Sequence, residues 1–270
     1  MEKLNPVFPI SPKPYLYCED EEIMERHFYV MEMKDGIVLD DSMPSELDSI
    51  EDAKKLISKA IVKTLVSLHE IDYKKAGLEN LGYPEGYLNR QVNGWIKRYH
   101  SSKTDEIEGV EELEKWLLNH IPNSPEPTIV HNDFKLNNMM FSKDDPGTVV
   151  GLFDWELSTI GDPLTDVGTM IAYWEEDGEP FSGLTSITKN PGFASRKEML
   201  EMYAQQSGRD ISNFDFYLTF AFYKIAVILQ QIYYRWKIGE VTDSRFGSLG
   251  EGVSNLMKQA QKAKNKEILK

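Results

Sequence analysis

The stretch that decides the fold is His131-Asn132-Asp133-Phe134-Lys135-Leu136-Asn137-Asn138, followed by Val149-Val150-Gly151-Leu152-Phe153-Asp154. An aspartate and an asparagine stand five positions apart in the first segment. In the second segment, an aspartate follows directly on an apolar run that is typical of a short buried strand. The residues from Asp144 to Gly147 form a good turn sequence between the two segments. We therefore expect two neighbouring strands here, with acidic and amide side chains at one end.

The first segment has the pattern H-x-D-x-x-x-x-N, which is the spacing of the kinase catalytic loop. Phosphoryl transfer needs positioning, neutralisation of phosphate charge, and a carboxylate that orients the attacking hydroxyl and takes its proton. Asp133 is the candidate for that carboxylate. Asn138 and Asp154 supply the oxygen atoms that Mg²⁺ prefers. Lys135 can reach a phosphate group as a point charge.

Other interpretations of these residues stay open at this point. A hydrolytic metal site can be built from His131, Asp133 and Asp154, although a structural role within the loop suits the histidine better. Lys135 can also be an ordinary surface charge. Asp166 is better explained as an acidic residue at a helix start than as a metal ligand, because acids are favoured there.

The composition of the 270 residues favours a globular protein and argues against some partners. Hydrophobic residues make up 41% of the chain, which is enough to form a core. A net charge of −14 argues against a nucleic-acid groove, which needs clustered cations. Cys18 is the single cysteine and the N-terminus has no signal peptide, so we expect a cytoplasmic protein. The apolar stretch from Phe214 to Ile232 contains charged and amide residues, which favours a buried core helix over a membrane span.

Periodicity divides the chain into a short N-terminal β region and a longer, mostly helical region. Prolines from Pro6 to Pro14 predict an extended segment, and glycines from Gly247 to Gly252 predict a helix end. The predicted strands are residues 15–18, 28–33, 128–130, 139–141 and 149–153. The predicted helices are residues 53–68, 85–100, 110–119, 166–174, 196–207 and 212–238, with a tail helix after position 252.

The run HNDFKLNNMMF…VVGLFDWELSTIGDPLTDVG, from His131 to Gly168, resembles the aminoglycoside phosphotransferase (choline-kinase-like) family. It is more closely similar to the subgroup related to the kinase-like domains fused to acyl-CoA dehydrogenases. Phe28 to Met33 is similar to the hinge strand of that family. Further similar segments are Leu68 to Asp72, Gly86 to Gln91 and Tyr203 to Asp210. The resemblance covers nearly all of the chain, from about Asn5 to Gly239.

The resemblance implies an α+β, protein-kinase-like fold of the aminoglycoside phosphotransferase type. We expect residues 1–33 to be a remnant of the N-lobe, a hairpin with the hinge strand. Residues 34–270 would form the mostly helical C-lobe with the catalytic loop and metal site. The implied activity is the Mg²⁺-dependent transfer of phosphate from ATP to a hydroxyl of a small molecule. The subgroup points to hydroxyacyl compounds or other metabolic alcohols as acceptors.

The resemblance also assigns roles to individual residues. It implies a catalytic base, Asp133, with Lys135 beside it; two magnesium ligands, Asn138 and Asp154; and three residues that meet adenine, Glu32, Met33 and Lys34. In this subgroup the second residue of the catalytic loop is usually glycine, whereas this chain has Asn132. Asparagine tolerates a positive φ better than most residues do.

Parts of the nucleotide site that the resemblance predicts are missing from this sequence. A complete family member has a glycine-rich loop, a strand lysine and a helix glutamate before the hinge, but here the first glycine is Gly36. We therefore expect either a truncated gene product or a reduced kinase. Exposed strand edges in the hinge hairpin would favour self-association. The alternative function is a non-catalytic pseudokinase, or a module that binds a partner or metabolite.

Overall fold

The computed structural model describes residues 1–184 and 186–270. Nine α-helices lie in the described residues: α1 (Glu21–Met24), α2 (Ser45–Asp48), α3 (Ala53–His69), α4 (Tyr87–Ser102), α5 (Val110–Asn119), α6 (Leu164–Tyr173), α7 (Arg196–Ser207), α8 (Phe214–Lys237) and α9 (Leu249–Lys264). The strands are β1 (Pro14–Cys18), β2 (Phe28–Met31), β3 (Ile37–Val38), β4 (Thr128–Val130), β5 (Met139–Phe141), β6 (Val149–Leu152) and β7 (Thr159–Gly161). These elements confirm the predicted α+β class.

Three small antiparallel sheets lie in the described part of the chain: β1–β2, β3–β5–β6 and β4–β7. In the second sheet Met139 of β5 faces Leu152 of β6, and in the third Ile129 of β4 faces Ile160 of β7. The segment 131–138 leaves the end of β4 and leads into β5. This segment and the end of the second predicted stretch, residues 149–154, therefore lie next to each other, at the ends of β4 and β6.

Helix α8 is the centre of the helical core and packs against α4, α6 and α9. It is long and apolar enough to cross a membrane, the single such helix in the described residues, but 78% of its most apolar window is buried inside the protein. A Cβ atom on Gly168 of α6 would lie 2.7 Å from the carbonyl oxygen of Tyr217, so glycine lets the two helices approach closely. The interpretation of this stretch as a core helix is confirmed.

The predicted extended segment from Pro6 to Pro14 is wrong over its first half, because residues 2–7 and 9–10 form hydrogen-bonded turns; Pro14 at its end begins β1. The amide of Phe8 donates to the carbonyl of Leu4 at 2.8 Å, and the amide of Ser11 donates to that of Phe8 at 3.0 Å. These donors are not prolines, so the prolines between them fit the turns. Leu4 and Phe8 are buried, and the ring of Phe8 packs edge-on against Trp155 at 6.0 Å. Packing of the apolar side chains overrides the extended tendency.

The predicted helix end at Gly247–Gly252 is also wrong, since α9 begins at Leu249 and contains Gly250 and Gly252, while Gly247 lies in the 3₁₀ turn that precedes it. A Cβ atom on Gly250 would lie 2.8 Å from the ring of Tyr233 in α8. A Cβ atom on Gly252 would lie 2.4 Å from the carbonyl oxygen of Ser182. The glycines are therefore explained by close packing of α9 against its neighbours rather than by chain termination.

Candidate active site

The catalytic loop, residues 131–138, brings three of the predicted site residues into direct contact. The side-chain amide of Asn138 donates from Nδ2 to Asp133 Oδ2 at 2.9 Å and to the Asp133 carbonyl at 2.9 Å. Lys135 Nζ lies 2.8 Å from the same carboxylate oxygen. A short 3₁₀ turn, Leu136–Asn138, folds the chain back and makes these contacts possible. The carboxylate of Asp133 is thereby oriented by Lys135, two positions along the loop, and by Asn138 at the end of the loop.

Asp154 lies beside this group because β6 runs next to the loop. The amide of Phe153 donates to the carbonyl of Asn138 at 2.9 Å, so the two predicted metal-binding positions are on adjacent segments. Asp154 itself has φ 61° and ψ 55°, a left-handed conformation that non-glycine residues adopt at an energetic cost. The strain is a reason to expect that the direction of this carboxylate matters for function.

The side chain of His131 is a structural element of the loop. Its Nε2 lies 2.7 Å from the carbonyl oxygen of Phe153, so this nitrogen carries the proton and donates. Its Nδ1 accepts from the amide of Asp133 at 3.3 Å. Burial lowers the pKa of His131 and keeps the imidazole neutral, as this donor and acceptor pattern requires. The histidine thus ties the start of the loop to the segment that precedes Asp154.

Asp166 binds the backbone of the catalytic loop from the side of the buried core. It lies in the first turn of α6, as the sequence predicted, but its carboxylate is fully buried and accepts from two backbone amides. The amide of His131 donates to Oδ2 at 2.6 Å, and that of Asn132 donates to Oδ1 at 2.7 Å. Burial alone would raise the pKa of Asp166, yet His69 and these amides outweigh it and lower the pKa. Asp166 is therefore an ionised anchor, a role that sequence reasoning missed.

Asn132 occupies the position before Asp133 with φ 66°, a left-handed conformation. Glycine, the usual residue here in the subgroup, adopts this conformation freely, and asparagine tolerates it better than most residues do. Its side chain is used on both ends. The hydroxyl of Tyr87 donates to Oδ1 at 2.7 Å, and Nδ2 donates to the carbonyl of Leu157 at 2.9 Å. Lys224 donates to the backbone carbonyl of Asn132 at 2.6 Å. Asparagine here adds two bonds that a glycine does not form.

The three predicted adenine-binding residues lie after β2, and two of them, Glu32 and Lys34, contact the N-terminal segment instead of the catalytic loop. Lys34 Nζ lies 3.0 Å from Glu32 and donates to the carbonyl of Pro9 at 2.9 Å. The amide of Lys13 donates to the Glu32 carboxylate at 3.1 Å. The side chain of Met33 is 92% exposed. The hinge is thus shaped by local contacts with residues 9–13.

The donor set at the loop fits a magnesium ion. Asn138 turns its Nδ2 towards Asp133, so the amide oxygen of Asn138 points elsewhere and is a suitable hard ligand. Asp154 adds a carboxylate on the adjacent segment. Among the residues that the structure describes, no group of three or more His, Cys, Asp or Glu side chains is arranged to hold a metal. A set of one or two carboxylates with an amide is nevertheless what Mg²⁺ uses when phosphate oxygens and waters complete its coordination.

Two residues of the site, Tyr87 and Lys224, were not found from the sequence. They lie 45 and 92 positions from Asn132 along the chain, on α4 and α8. Lys224 does carry a usable signal, since it is the one charged residue between Phe216 and Tyr234 of an otherwise apolar helix. Tyr87 stands in a polar, glycine-flanked helix start and carries no comparable signal.

The fold and this loop define the class of a protein-kinase-like phosphotransferase, and comparisons with known proteins agree. The sequence model of the phosphotransferase enzyme family matches residues 2–206. A solved Ralstonia eutropha protein, described as an aminoglycoside phosphotransferase, is 31% identical with a TM-score of 0.85, over 98% of this chain and 81% of that one. The chain belongs to the phosphotransferase enzyme family.

Curated relatives and more distant structures add two further findings. Acyl-CoA dehydrogenase family member 11 of Homo sapiens is 34% identical over 237 residues, which are 86% of this chain and 30% of that protein. The chain thus spans less than a third of the length of this relative. The ternary complex of aminoglycoside phosphotransferase APH(4)-Ia with ADP and hygromycin B is 13% identical with a TM-score of 0.59, over 96% of this chain and 81% of that one. This second likeness shows the shared fold.

Proposed function

We propose that the chain transfers the γ-phosphate of ATP to a hydroxyl of a small molecule in a magnesium-dependent reaction. The observation that carries the proposal is the Asp133 carboxylate, held at 2.9 Å by Asn138 and at 2.8 Å by Lys135, beside the strained Asp154. This is the arrangement of a base next to a metal site. The ADP and AMP-PNP complexes among the fold neighbours support ATP as the donor, and the GDP complex of another neighbour makes GTP the comparison nucleotide in the assay.

Each residue has a stated part in the proposed reaction. Asp133 accepts a hydrogen bond from the acceptor hydroxyl and takes its proton as the new oxygen–phosphorus bond forms. The bond between the γ-phosphorus and the β,γ-bridging oxygen breaks, and ADP leaves with that oxygen. Lys135 attracts the negative charge of the transferred group. Asn138 and Asp154 would hold Mg²⁺, which when bound neutralises phosphate charge, and the backbone of Glu32, Met33 and Lys34 would meet adenine.

The acceptor that we propose is a metabolic alcohol of the hydroxyacyl type. The support is that the acyl-CoA dehydrogenase family members are 32–35% identical to this chain, whereas APH(4)-Ia, which was solved with a bound aminoglycoside, is 13–14% identical. The Ralstonia eutropha protein, 31% identical and described as an aminoglycoside phosphotransferase, is the reason that aminoglycosides belong in the test. A panel of hydroxy acids and aminoglycosides, assayed by ADP release, tests this. Faster turnover with the aminoglycosides would contradict it. We retain a cytoplasmic location as part of the proposal.

The decisive test of the reaction is the replacement of Asp133 by Asn, which keeps the size of the side chain but removes the base. We expect turnover to fall by about 10²- to 10⁴-fold, because that is the usual contribution of a general base. Calorimetric titration with Mg·ATP should still show binding in this variant. Asp154→Ala should lose that binding. Full turnover in Asp133→Asn would contradict the proposed role.

A second candidate is a non-catalytic module that binds a nucleotide or a partner. The observation that favours it is the hinge hairpin, whose sheet has two strands and whose apolar side chains Tyr15, Leu16 and Tyr29 are 62%, 54% and 47% exposed. An exposed apolar hairpin of this kind would also promote self-association. Mg·ATP binding without any ADP release, across the acceptor panel and in water, would favour this candidate.

A further inference from the structure

Lys224 is a buried cation that no step of the proposed reaction uses. It lies in the middle of α8, is 6% exposed, and donates from Nζ to the carbonyl of Asn132 at 2.6 Å. The face of Trp95 on α4 lies 5.7 Å from the ammonium. The hydrogen bond and the ring face are the contacts that the structure gives this ammonium. A lysine in this position connects the helical core directly to the catalytic loop.

The charges around Lys224 do not explain its presence as an ion pair. Asp133 and Asp166 attract the ammonium, whereas Lys135 and Arg98 repel it, and burial lowers its pKa. The partner at bonding distance is a neutral carbonyl rather than a carboxylate. Burying a charge is costly, and apolar residues of similar volume in such sites are often neutral or stabilising. Folding stability alone therefore gives little reason for a lysine here.

The carbonyl that Lys224 binds belongs to the peptide unit that joins Asn132 to Asp133. The other three polar groups of Asn132 are bound by separate partners, namely Asp166, Tyr87 and the carbonyl of Leu157. The ammonium thus fixes the last free polar group of a residue with φ 66°. The N–H at the other end of this peptide unit donates to Nδ1 of His131 over a longer distance, 3.3 Å, so Lys224 supplies the shorter of its two bonds. The orientation of the unit sets the direction of the Asp133 side chain. Its rotation would move the carboxylate away from Asn138 and Lys135.

We propose that Lys224 is a positioning residue for phosphoryl transfer, whose ammonium holds the Asn132–Asp133 peptide and thereby aims the carboxylate of Asp133. For its catalytic readout the inference rests on the proposed function. Lys224 acts on the loop from the side of the core, away from the hinge residues 32–34. The nucleotide KM should therefore be insensitive to it, while kcat depends on it, since a small misplacement of a reacting group lowers the rate steeply.

The test compares Lys224→Met with Lys224→Arg and with Lys237→Met. Methionine keeps most of the volume and removes the charge, and arginine keeps the charge and donors. Lys237 is on the same helix, but it is exposed and paired with Asp105, so it is a matched control for the substitution. We expect kcat to fall about 100-fold in Lys224→Met, with the KM for ATP changed by less than about threefold. Lys224→Arg should recover part of kcat, and Lys237→Met should behave as the unsubstituted chain.

Two further measurements separate positioning from a merely structural role. The thermal midpoint of Lys224→Met should stay within about 3 °C, because the relief of a buried charge offsets the unpaired carbonyl. Amide hydrogen exchange at residues 131–135 should speed up at least about tenfold in the same variant, since the loop loses one of the buried groups that hold it. Unchanged exchange in Lys224→Met would overturn the inference, and so would an unchanged kcat if the unsubstituted chain transfers phosphate. So would an equal loss of kcat in Lys237→Met.

The failure of this inference is distinguishable from the failure of the proposed function. Hydrogen exchange at residues 131–135 needs neither an acceptor nor turnover. It therefore reports on the hold of Lys224 on the Asn132–Asp133 peptide even in a chain that transfers no phosphate. If the chain transfers no phosphate but exchange is faster in Lys224→Met, the result contradicts phosphoryl transfer and supports the positioning role of Lys224. If the chain transfers phosphate and Lys224→Met has the same exchange rates and the same kcat as the unsubstituted chain, the result supports phosphoryl transfer and overturns the positioning role of Lys224.

Discussion

The catalytic loop (residues 131–138) and the hinge hairpin (β1 and β2, continuing to Lys34) are held in opposite ways. The loop is bound from the side of the core by Asp166, which is fully buried, and by Lys224, which is 6% exposed. The hairpin is a two-stranded sheet with exposed apolar side chains, and its polar contacts lie at the surface. The first region takes its geometry from the core, and the second region from its own local contacts.

The difference has a physical consequence for how each region responds to change. Removing one partner of a buried, hydrogen-bonded charge leaves its neighbours desolvated and unpaired, which is costly. Partly exposed pairs such as that of Lys34 with Glu32, whose side chains are 14% and 33% exposed, contribute less than buried pairs do, because water and salt screen them. The end of the proposed site that handles the acceptor is therefore rigid. The end that would meet the nucleotide base can adjust at low cost.

The largest effect that we expect on stability comes from Asp166→Asn. The buried amides of His131 and Asn132 would then face a neutral amide, which offers one acceptor atom instead of two and also presents a donor. We expect the free energy of unfolding to fall by about 3 kcal/mol or more, since a buried charged anchor is lost. Urea unfolding followed by circular dichroism measures this. Asp41→Asn, at an exposed carboxylate, is the control and should leave the midpoint unchanged.

A valine in each region sharpens the comparison with one substitution type. Val130 ends β4 and is fully buried, whereas Val30 in β2 is 45% exposed. We expect Val130→Ala to lower the free energy of unfolding by about 2 to 3 kcal/mol, from lost burial and a small cavity. Val30→Ala should change it by about 0.5 kcal/mol or less. Equal losses at both positions would show that the hairpin is as strongly packed as the loop strand.

A smaller effect is the dependence of stability on pH through His69. Burial lowers the pKa of His69, and its Nδ1 lies 2.8 Å from the hydroxyl of Tyr203. The unfolded chain therefore binds the proton more readily than the folded chain does, and stability is lost as pH falls below about 6.5. We expect a slope of up to about 1.4 kcal/mol per pH unit from this residue between pH 6.5 and 5.5.

The variant His69→Gln should remove this share of the slope, which unfolding curves at three pH values would measure. The window is separate from that of Asp166, whose pKa is lowered, so that its contribution is lost only below the ordinary value of 3.8. His131 contributes in the same direction as His69, because burial lowers its pKa too. A stability that rises as pH falls from 6.5 would contradict the assignment of a neutral, buried His69.

Local features of the sequence were enough to predict much of the fold. The helices at Val110–Asn119 and Arg196–Ser207 and the strands β4 and β5 were predicted with their observed bounds. Each has clear periodicity or is bounded by prolines, glycines or a polar loop. The wrong predictions were the first half of the extended segment from Pro6 to Pro14 and the helix end at Gly247–Gly252. In both cases the local signal was overridden by packing, of Phe8 on Trp155 and of Gly250 on Tyr233.

The domain division at residues 33 and 34 and the roles of the seven proposed site residues stay predictions. The structure does bring Asp133, Lys135 and Asn138 into contact, and β6 places Asp154 on the neighbouring segment. It leaves Glu32 and Lys34 bound to the N-terminal segment and the side chain of Met33 exposed. The contact between Asp133 and Asn138 is predictable from the sequence, because a short loop limits how far apart two residues five positions apart can lie.

The sequence by itself determined the family, the order of the long helices and of five strands, and the position of the catalytic loop; it did not predict α1, α2, β3 or β7. Those features depend on spacing and periodicity, which are properties of short stretches of chain. Only the tertiary structure decided how the loop is held. Asp166, Tyr87 and Lys224 reach Asn132 from 34, 45 and 92 positions away. Contacts across such distances follow from how α4, α6 and α8 pack around a common core, and no local pattern of residues encodes that packing.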